Sequence, residues 1–444
     1  MLSVLANRTY RHLFLAQVVA LIGTGLATVA LGLLAYDLAG GNAGAVLGTA
    51  LAIKMAAYVF VAPVVGAYAS RLPRRAFMVS MDLIRAGVAI CLPFVDQVWQ
   101  IYILIFVLQS ASAAFTPTFQ ATIPDVLPEE RDYTRALSLS RLAYDMESLT
   151  SPMLAAALLT VINFHWLFSG TAIGFIGSAL LVASVVLPKT AGAPPPGGGI
   201  YARTTRGARF CLRTPRLRGL LALTLAAAAA SSMVIVNTVV IVRDSLGLTQ
   251  SDVALTLAAY GAGSILTALL LPRMLDRVSD RAIMILASMA LAVALGVLAL
   301  LTARFNDQPD FWYIILVGWF VLGIAYSASV TPSGRLLRRS ASAEDRPAVF
   351  AAQFALSHGC WLLTYPLVGQ LGAQISQGAA FVAMAIIALA GTAAALVLWP
   401  RHDPDIVPHT HDDLAPGHPH LREAHEQAGG HPFMIDDLHH QWPR

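Results

Sequence analysis

Lys54, Glu147 and His358 stand in long apolar stretches without an opposite charge one helical turn away. A charged side chain at the centre of a bilayer costs about 3 kcal/mol on insertion scales, so each of the three needs a partner or a task. Glu147 is the first candidate for a proton carrier. Burial favours the neutral acid, a nearby ammonium favours the carboxylate, and the balance can fall within reach of cytoplasmic pH. Lys54 supplies that ammonium, either as part of the coupling machinery or as one half of a static ion pair joining two helices. His358 can coordinate a metal as neutral imidazole or exchange a proton near neutrality; it can equally hydrogen-bond a neighbouring helix. Thr24, Gln109, Asn237 and Tyr326 fall at similar depth and are candidates to line a cavity. Asp82 and Arg85, three apart, and Arg141 and Asp145, four apart, are spaced to pair on one helical face and are read as structural pairs.

A second group of potential ligands lies at the other end of the chain. Nine of the twelve histidines fall between His402 and His440. The candidate ligands are His409, His411, His418, His420, His425, His431, His439 and His440, with Asp412, Asp413, Asp436 and Asp437 among them. Imidazole with occasional carboxylate suits Ni²⁺, Co²⁺, Cu²⁺ or Zn²⁺, and the lack of cysteine there argues against a soft thiolate site. Interspersed proline and glycine point to a mobile tail that gathers cations rather than a preformed site. A solvated tail that binds metal without physiological meaning is the plain alternative. The stretch Phe433 to Trp442 has the composition of a short helix that docks elsewhere.

The elements that must position these residues are membrane spans. With 57% hydrophobic and 12% charged residues in 444, the chain carries far more apolar surface than a soluble core uses. Runs long enough to cross a bilayer, which takes about 20 residues, continue to Trp399. Helices satisfy the backbone there, so the fold class is all-α. Twelve spans are predicted: Phe14–Tyr36, Ala45–Tyr68, Phe77–Asp96, Val98–Phe119, Leu137–Ile162, Trp166–Leu187, Gly219–Val242, Asp252–Pro272, Ala282–Ala303, Phe311–Pro332, Ala348–Gly372 and Gly378–Trp399. The first run is too long for the core of a signal peptide, lacks a small-residue cleavage site, and is read as a retained span. At 1.5 Å per residue, Lys54 lies about 18 Å from Gly66, and Glu147 and His358 roughly 15 Å from the starts of their spans. All three fall near the midplane.

Loop arginines and lysines separate by side. The N-terminus and the loops after spans two, four, six, eight and ten hold nearly all of them, while the opposite side has only Arg243 and Arg304. By the positive-inside rule both termini lie in the cytoplasm of a cell whose inner membrane the chain crosses many times. The same rule accounts for the net charge of +4, which therefore points to no nucleic acid. Residues 188–218 hold Ala-Pro-Pro-Pro-Gly-Gly-Gly and six arginines, a composition that reads as a flexible basic linker. It divides a six-span unit, 1–187, from a second, 219–399, and the histidine-rich tail, 400–444, follows. Cys91, Cys211 and Cys360 have neither metal nor disulfide spacing.

The two six-span units are repeats. Gly66 to Arg75 interrupts apolar sequence as Pro272 to Arg281 does, with Arg71 and Arg75 answered by Arg277 and Arg281. Thr116-Pro117 and Thr331-Pro332 match at the ends of spans four and ten, and Glu129-Glu130-Arg131 and Glu344-Asp345-Arg346 follow at the same distance. Parallel repeats of this size imply two bundles around a central pathway that opens by rocking. On these motifs the chain resembles the major facilitator superfamily from Asn7 to Trp399. The resemblance implies a loop after span two in which Gly66, an acidic residue and arginines latch the cytoplasmic face. Ser70 stands where the aspartate is usual, whereas the second copy has Asp276.

Ser151-Pro152-Met153-Leu154-Ala155-Ala156-Ala157 and Asp82-Leu83-Ile84-Arg85 are similar to the drug, macrolide and siderophore efflux branch. The tail is similar to nickel-resistance exporters. In that fold spans two and five face spans eleven and eight, which places Lys54, Glu147 and His358 at the central cavity. The expectation is a monomeric, proton-coupled exporter of a divalent transition metal, nickel or cobalt, in which His358 and Glu147 alternately hold cation and proton. Proton-driven efflux of an organic compound with a regulatory tail is the alternative, and a non-transporting metal sensor is a third. No Gly-x-x-x-x-Gly-Lys-Ser/Thr loop occurs, which argues against ATP-driven transport by this chain and against an enzyme of that kind.

Overall fold

The computed structural model describes residues 2–62, 73–187, 200–275, 277–305, 308, 310–341, 346–401, 403 and 442. Regular structure among them is helical throughout. The first half comprises α1 (Arg8–Ala39), α2 (Ala43–Ala56), α3 (Arg74–Cys91), α4 (Val98–Val126), α5 (Glu130–Leu159) and α6 (His165–Ala183). A connecting helix, α7 (Ile200–Arg213), leads to α8 (Pro215–Val239), α9 (Gln250–Leu275), α10 (Asp280–Phe305), α11 (Phe311–Val330), α12 (Ser333–Arg339), α13 (Arg346–Gln374) and α14 (Gln377–Leu398). Among the described residues nine segments are long and apolar enough to cross a membrane, the first running through α1 and α2 together. Hydrocarbon offers the backbone no partners, so each segment closes its own hydrogen bonds as a helix.

Helix ends follow local chemistry. The Asn7 side chain accepts from the Tyr10 amide to start α1, and Gly40, at φ 52°, takes the left-handed conformation that ends it. Gln97 and Gln100 form a reciprocal capping box at the start of α4, and the Ser376 side chain accepts from the Ala379 amide to start α14. Beyond Lys54, α2 widens into a π-helical segment, Ala57–Val61. A second such segment, Val240–Ser245, prolongs α8.

Residues 200–213 differ from the flexible linker expected on composition. They form α7, which packs against α13. Phe210 and Cys211, adjacent on the helix, are buried against Leu217, Val349 and Leu337, and the Cys211 thiol points at the Val349 carbonyl, 3.7 Å away. This apolar side anchors the helix despite the arginines on its sequence. Residues 188–199 lie outside the described residues.

The internal repeat is visible as repeated packing. In the first half α1 packs on α5 and α6, α3 on α4 and α6, and α2 on α4. In the second, α8 packs on α13 and α14, α10 on α11 and α14, and α9 on α11, which are the same pairings in the same order. The halves meet through α2 with α13 and α5 with α9, two seams that exchange under the same two-fold relation. Large apolar side chains such as Leu300, 74% exposed, and Val397, 83% exposed, cover the outside, as lipid contact requires. Trp99, Trp166 and Tyr313, also exposed, sit at one end of α4, α6 and α11, the level at which aromatic rings border headgroups.

We call the face where α1 begins and α14 ends the near face, and the opposite one the far face. Toward the far face the α2–α13 seam closes backbone to backbone, since Gly44 and Gly369, and Gly48 and the Tyr365 carbonyl, leave no room for a Cβ.

Candidate functional site

Between α1, α2 and α4 lies a narrow pocket lined by Thr24, Thr28, Leu51, Lys54, Leu108 and Gln109, among others. It admits water over about 20 Å³, room for one molecule. Its polar groups are mostly acceptors. The Thr24 and Thr28 hydroxyls donate to the carbonyls of Ala20, at 2.9 Å, and Thr24, at 3.0 Å, which leaves their lone pairs as the remaining hydrogen-bonding capacity. The Gln109 carbonyl oxygen is buried with no partner. The Lys54 ammonium is the strong donor.

Glu147 reaches this region from α5. Its carboxylate lies against α1 beside Gly25, where an added Cβ would stand 2.9 Å from Oε1 and collide with Ser151. Thr24 of the pocket is the preceding residue. Lys54 and Glu147 act on each other electrostatically, yet among the described residues they do not close into a direct ion pair. An ammonium on the pocket wall and a carboxylate beside it, from separate helices, are thus electrostatically coupled without direct contact.

His358 sits elsewhere on the seam. Its ring stacks on Tyr58 of the π-helical segment with centroids 5.1 Å apart and meets Phe354 at a tilt, with centroids 4.0 Å apart. Nδ1 is 2.7 Å from the Phe354 carbonyl, an acceptor, so Nδ1 carries the hydrogen of that contact. The Trp361 ring lies 6.5 Å away and tilted, and it donates from Nε1 to the Ser231 hydroxyl at 2.8 Å. Tyr58 is four residues from Lys54 on α2, so the histidine borders the Lys54 region through an aromatic wall.

Of the other predicted lining residues, Thr24 and Gln109 are on the pocket wall. Tyr326 lies in the second half, its ring 5.8 Å from that of Tyr260, whose buried hydroxyl has no hydrogen-bond partner. Asn237 is not on the pocket wall. It is fully buried in the far-face closure, donating to the Val368 carbonyl at 3.3 Å while its oxygen packs at Gly44 and Gly372. An amide within a span meets backbone carbonyls wherever two helices approach this closely, and presence in a span alone does not distinguish that role from cavity lining. Thr28, Tyr260 and Tyr365 escaped the sequence reading, and Ser151 entered it only as part of a motif similar to the efflux branch. Only the four-residue step from Thr24 to Thr28 marked any of the first three.

The paired arginines of the repeated loop meet helix ends. Arg75 donates to the Ala183 carbonyl at the end of α6, and Arg281 donates to the Trp399 carbonyl beyond α14 at 3.0 Å. Each satisfies a carbonyl left open by a helix terminus and sits at the negative end of its dipole. Arg277 is exposed. Gly66, Arg71 and Asp276 lie outside the described residues. Asp82 and Arg85 form an ion pair in the first half; Asp82 also accepts from the Ser178 hydroxyl at 2.7 Å, and the guanidinium lies 4.5 Å from the ring centres of both Phe115 and Phe175. The pair is buried, and Nε of the guanidinium is left without a hydrogen bond among the described residues. The side chains of Arg141 and Asp145 lie outside the described residues.

Histidines 409, 411, 418, 420, 425, 431, 439 and 440 also fall outside the described residues, and among the described ones no group of three His, Cys, Asp or Glu is placed to hold a metal. Four residues of the C-terminal segment are described, Pro400, Arg401, Asp403 and Trp442. Asp403 accepts from Trp399 Nε1 at 3.1 Å and pairs with Arg216 and Arg339 at 3.7 Å each. Trp442 lies under the Arg216 guanidinium, 5.2 Å from its ring centre.

Comparison with known proteins places this arrangement. Residues 1–322 match the family model described as transmembrane secretion effector, and residues 220–435 match that of the Major Facilitator Superfamily. Macrolide efflux protein A of Streptococcus pyogenes is 28% identical over 153 residues, 32% of this chain and 38% of the relative. The chain thus matches about two fifths of that relative's length. Among solved structures, a POT family transporter in complex with 5-aminolevulinic acid has a TM-score of 0.66 at 11% identity, over 88% of this chain and 96% of the other. A D-xylose-proton symporter has 0.59 at 14%, over 89% and 96%. At these identities the two structures establish the fold.

Proposed function

Because the chain belongs to the transmembrane secretion effector family of the Major Facilitator Superfamily, a group of multi-pass membrane transporters for small molecules, we propose that it exports an organic compound in exchange for protons. The near face is then cytoplasmic and the membrane the inner one. The observation that carries this reading is the electrostatic coupling of Glu147, set against α1 beside Gly25, with Lys54 on the wall of the neighbouring pocket, the two coming from different helices.

Ionised Glu147 is balanced by Lys54, and the pocket offers Thr24, Thr28 and Gln109 to a substrate that donates hydrogen bonds. A cationic or donor-rich compound competes with Lys54 for the carboxylate. Protonation of Glu147 removes the negative charge, leaves Lys54 as the dominant charge, and expels such a compound. Proton and substrate therefore exclude one another, which is the condition for exchange. Each proton moving inward down a membrane potential contributes about 2.3 kcal/mol per 100 mV. The α2–α13 and α5–α9 seams are the surfaces on which the halves rock.

Nickel or cobalt export, the first expectation from sequence, gives way here. It rested on His358 and Glu147 near the midplane together with tail histidines outside the described residues, whereas macrolide efflux proteins are among the proteins this chain is similar to. The test is retention of a macrolide in cells expressing the full chain or Glu147→Gln, with and without a protonophore. Lower retention that requires both Glu147 and the gradient supports the proposal. Macrolide retention that the chain leaves unchanged, beside a lowered nickel content, returns the account to metal.

A further inference from the structure

Arg243 stands where topology disfavours it. The loops on the far side hold only Arg243 and Arg304, because positive charge is kept to the opposite face of a membrane protein. Arg243 lies half-buried in the extension of α8, with its guanidinium 5.3 Å from the centre of the Tyr36 ring in the last turn of α1. A cation within about 6 Å of a ring centre is attracted to the π face. The contact joins the two halves. Beside it the Asp244 carboxylate packs on the turn Gly40–Asn42, where a Cβ on Gly41 would stand 3.1 Å from Oδ2. The extension that carries both residues is π-helical. Its wider turn shifts the phase of the helix where Arg243 meets Tyr36, and such turns recur at functional sites.

Further into α8, Asn237 is buried in the seal between α2 and α13. Its nitrogen donates to the Val368 carbonyl at 3.3 Å. Its oxygen lies where Cβ atoms on Gly44 and Gly372 would stand 2.7 and 2.8 Å away, and among the described residues it accepts no hydrogen bond. A buried carbonyl without a donor has lost its hydration uncompensated, and it recovers that hydration once water enters between α2 and α13. The closed far face thus contains one contact that holds it shut and one group that favours its opening.

We propose that Arg243 and Tyr36 are the latch of a far-face gate, and that Asn237 makes the gate releasable by gaining water when the seal parts. The proposal rests on the reading that the halves rock and not on what they carry.

The test places spin labels at Asp96→Cys and Ile375→Cys, exposed at the far face of opposite halves. The background is Cys91→Ser, since Cys211 and Cys360 are buried. Distances between the labels are measured by double electron resonance on the full chain in lipid nanodiscs, without substrate or gradient. A dominant shorter distance and a minor longer one are expected. Tyr36→Leu and Arg243→Gln should each enlarge the longer population severalfold, while Tyr36→Phe, which keeps the π face, should match the parent. Asn237→Leu, similar in shape to the amide but without the stranded oxygen, should deplete it. Asn237→Ala, which cannot crowd the two glycines, should do the same. These opposite signs separate a gate from simple damage to the fold. A longer population that Tyr36→Leu and Arg243→Gln leave unchanged overturns the latch. One that both Asn237 variants leave unchanged or enlarge overturns the release. Loss of macrolide export from a chain that shows the expected shifts would count against the substrate and not against the gate.

Discussion

The carboxylate of Glu147 rests against Gly25, so closely that a Cβ on the glycine would stand 2.9 Å from Oε1 and overlap Ser151. One missing methyl therefore decides whether α5 can approach α1 and present an acid beside the pocket.

Gly25→Ala is accordingly expected to push α5 outward. Overpacking of this kind costs about 1–3 kcal/mol, seen as a lower melting temperature of the purified protein. Ser151→Gly in the same chain removes both overlapping atoms and should restore part of the stability and of the transport. No recovery in the double variant would mean that Gly25 matters for another reason.

Lys54→Ala leaves Glu147 without its balancing charge. Loss of one partner of a buried pair is more damaging than loss of both, so Lys54→Ala with Glu147→Gln should express and melt better than Lys54→Ala alone. Neither is expected to couple transport to the proton gradient. Equal stability of the single and double variants would show that the two charges are energetically independent.

Arg75 and Arg281 close equivalent helix ends in the two halves. A hydrogen bond from a charged donor contributes about 1.5–3 kcal/mol, so Arg75→Ala and Arg281→Ala should each lower the melting temperature by similar amounts. Lysine, with a point charge in place of the guanidinium fork, is expected to recover only part. A large loss from one and none from the other would break the equivalence of the repeats.

Arg216, 1% exposed, depends on Asp403 and Trp442. Asp403→Asn should destabilise the second half, while Trp442→Ala should leave the bundle intact and raise the rate of proteolysis in the C-terminal segment. Unchanged proteolysis would show that Trp442 does not tether that segment.

Much of the fold was legible in sequence because lipid imposes it. Span length, loop charge and the repeated Arg75 and Arg281 motif each report a constraint that any helix in a bilayer obeys. Residue depth was also readable at 1.5 Å per residue, which brought Lys54, Glu147, Thr24 and Gln109 into one candidate set. Rotation about the helix axis was not, because spans apolar on every side carry little amphipathic signal. Asn237 lies toward the far-face end of α8 and Gln109 deeper along α4, and packing separates the seal from the wall. The same gap hid Ser151 and Gly25, whose importance is a distance between helices, and it left His358 free to be imagined beside Glu147 when it stacks on Tyr58. α7 was missed for a different reason. Six arginines mask the two apolar residues, Phe210 and Cys211, that fix it in place.

The most direct test of the central claim compares two modes of transport in proteoliposomes containing the purified full chain and a labelled macrolide. One mode is accumulation driven by an imposed pH gradient; the other is exchange of labelled for unlabelled macrolide at uniform pH. Glu147→Gln is expected to lose the driven accumulation and keep the exchange, because a permanently neutral side chain cannot carry the proton while the pathway still opens and closes. Driven accumulation by Glu147→Gln equal to that of the parent chain would contradict the account.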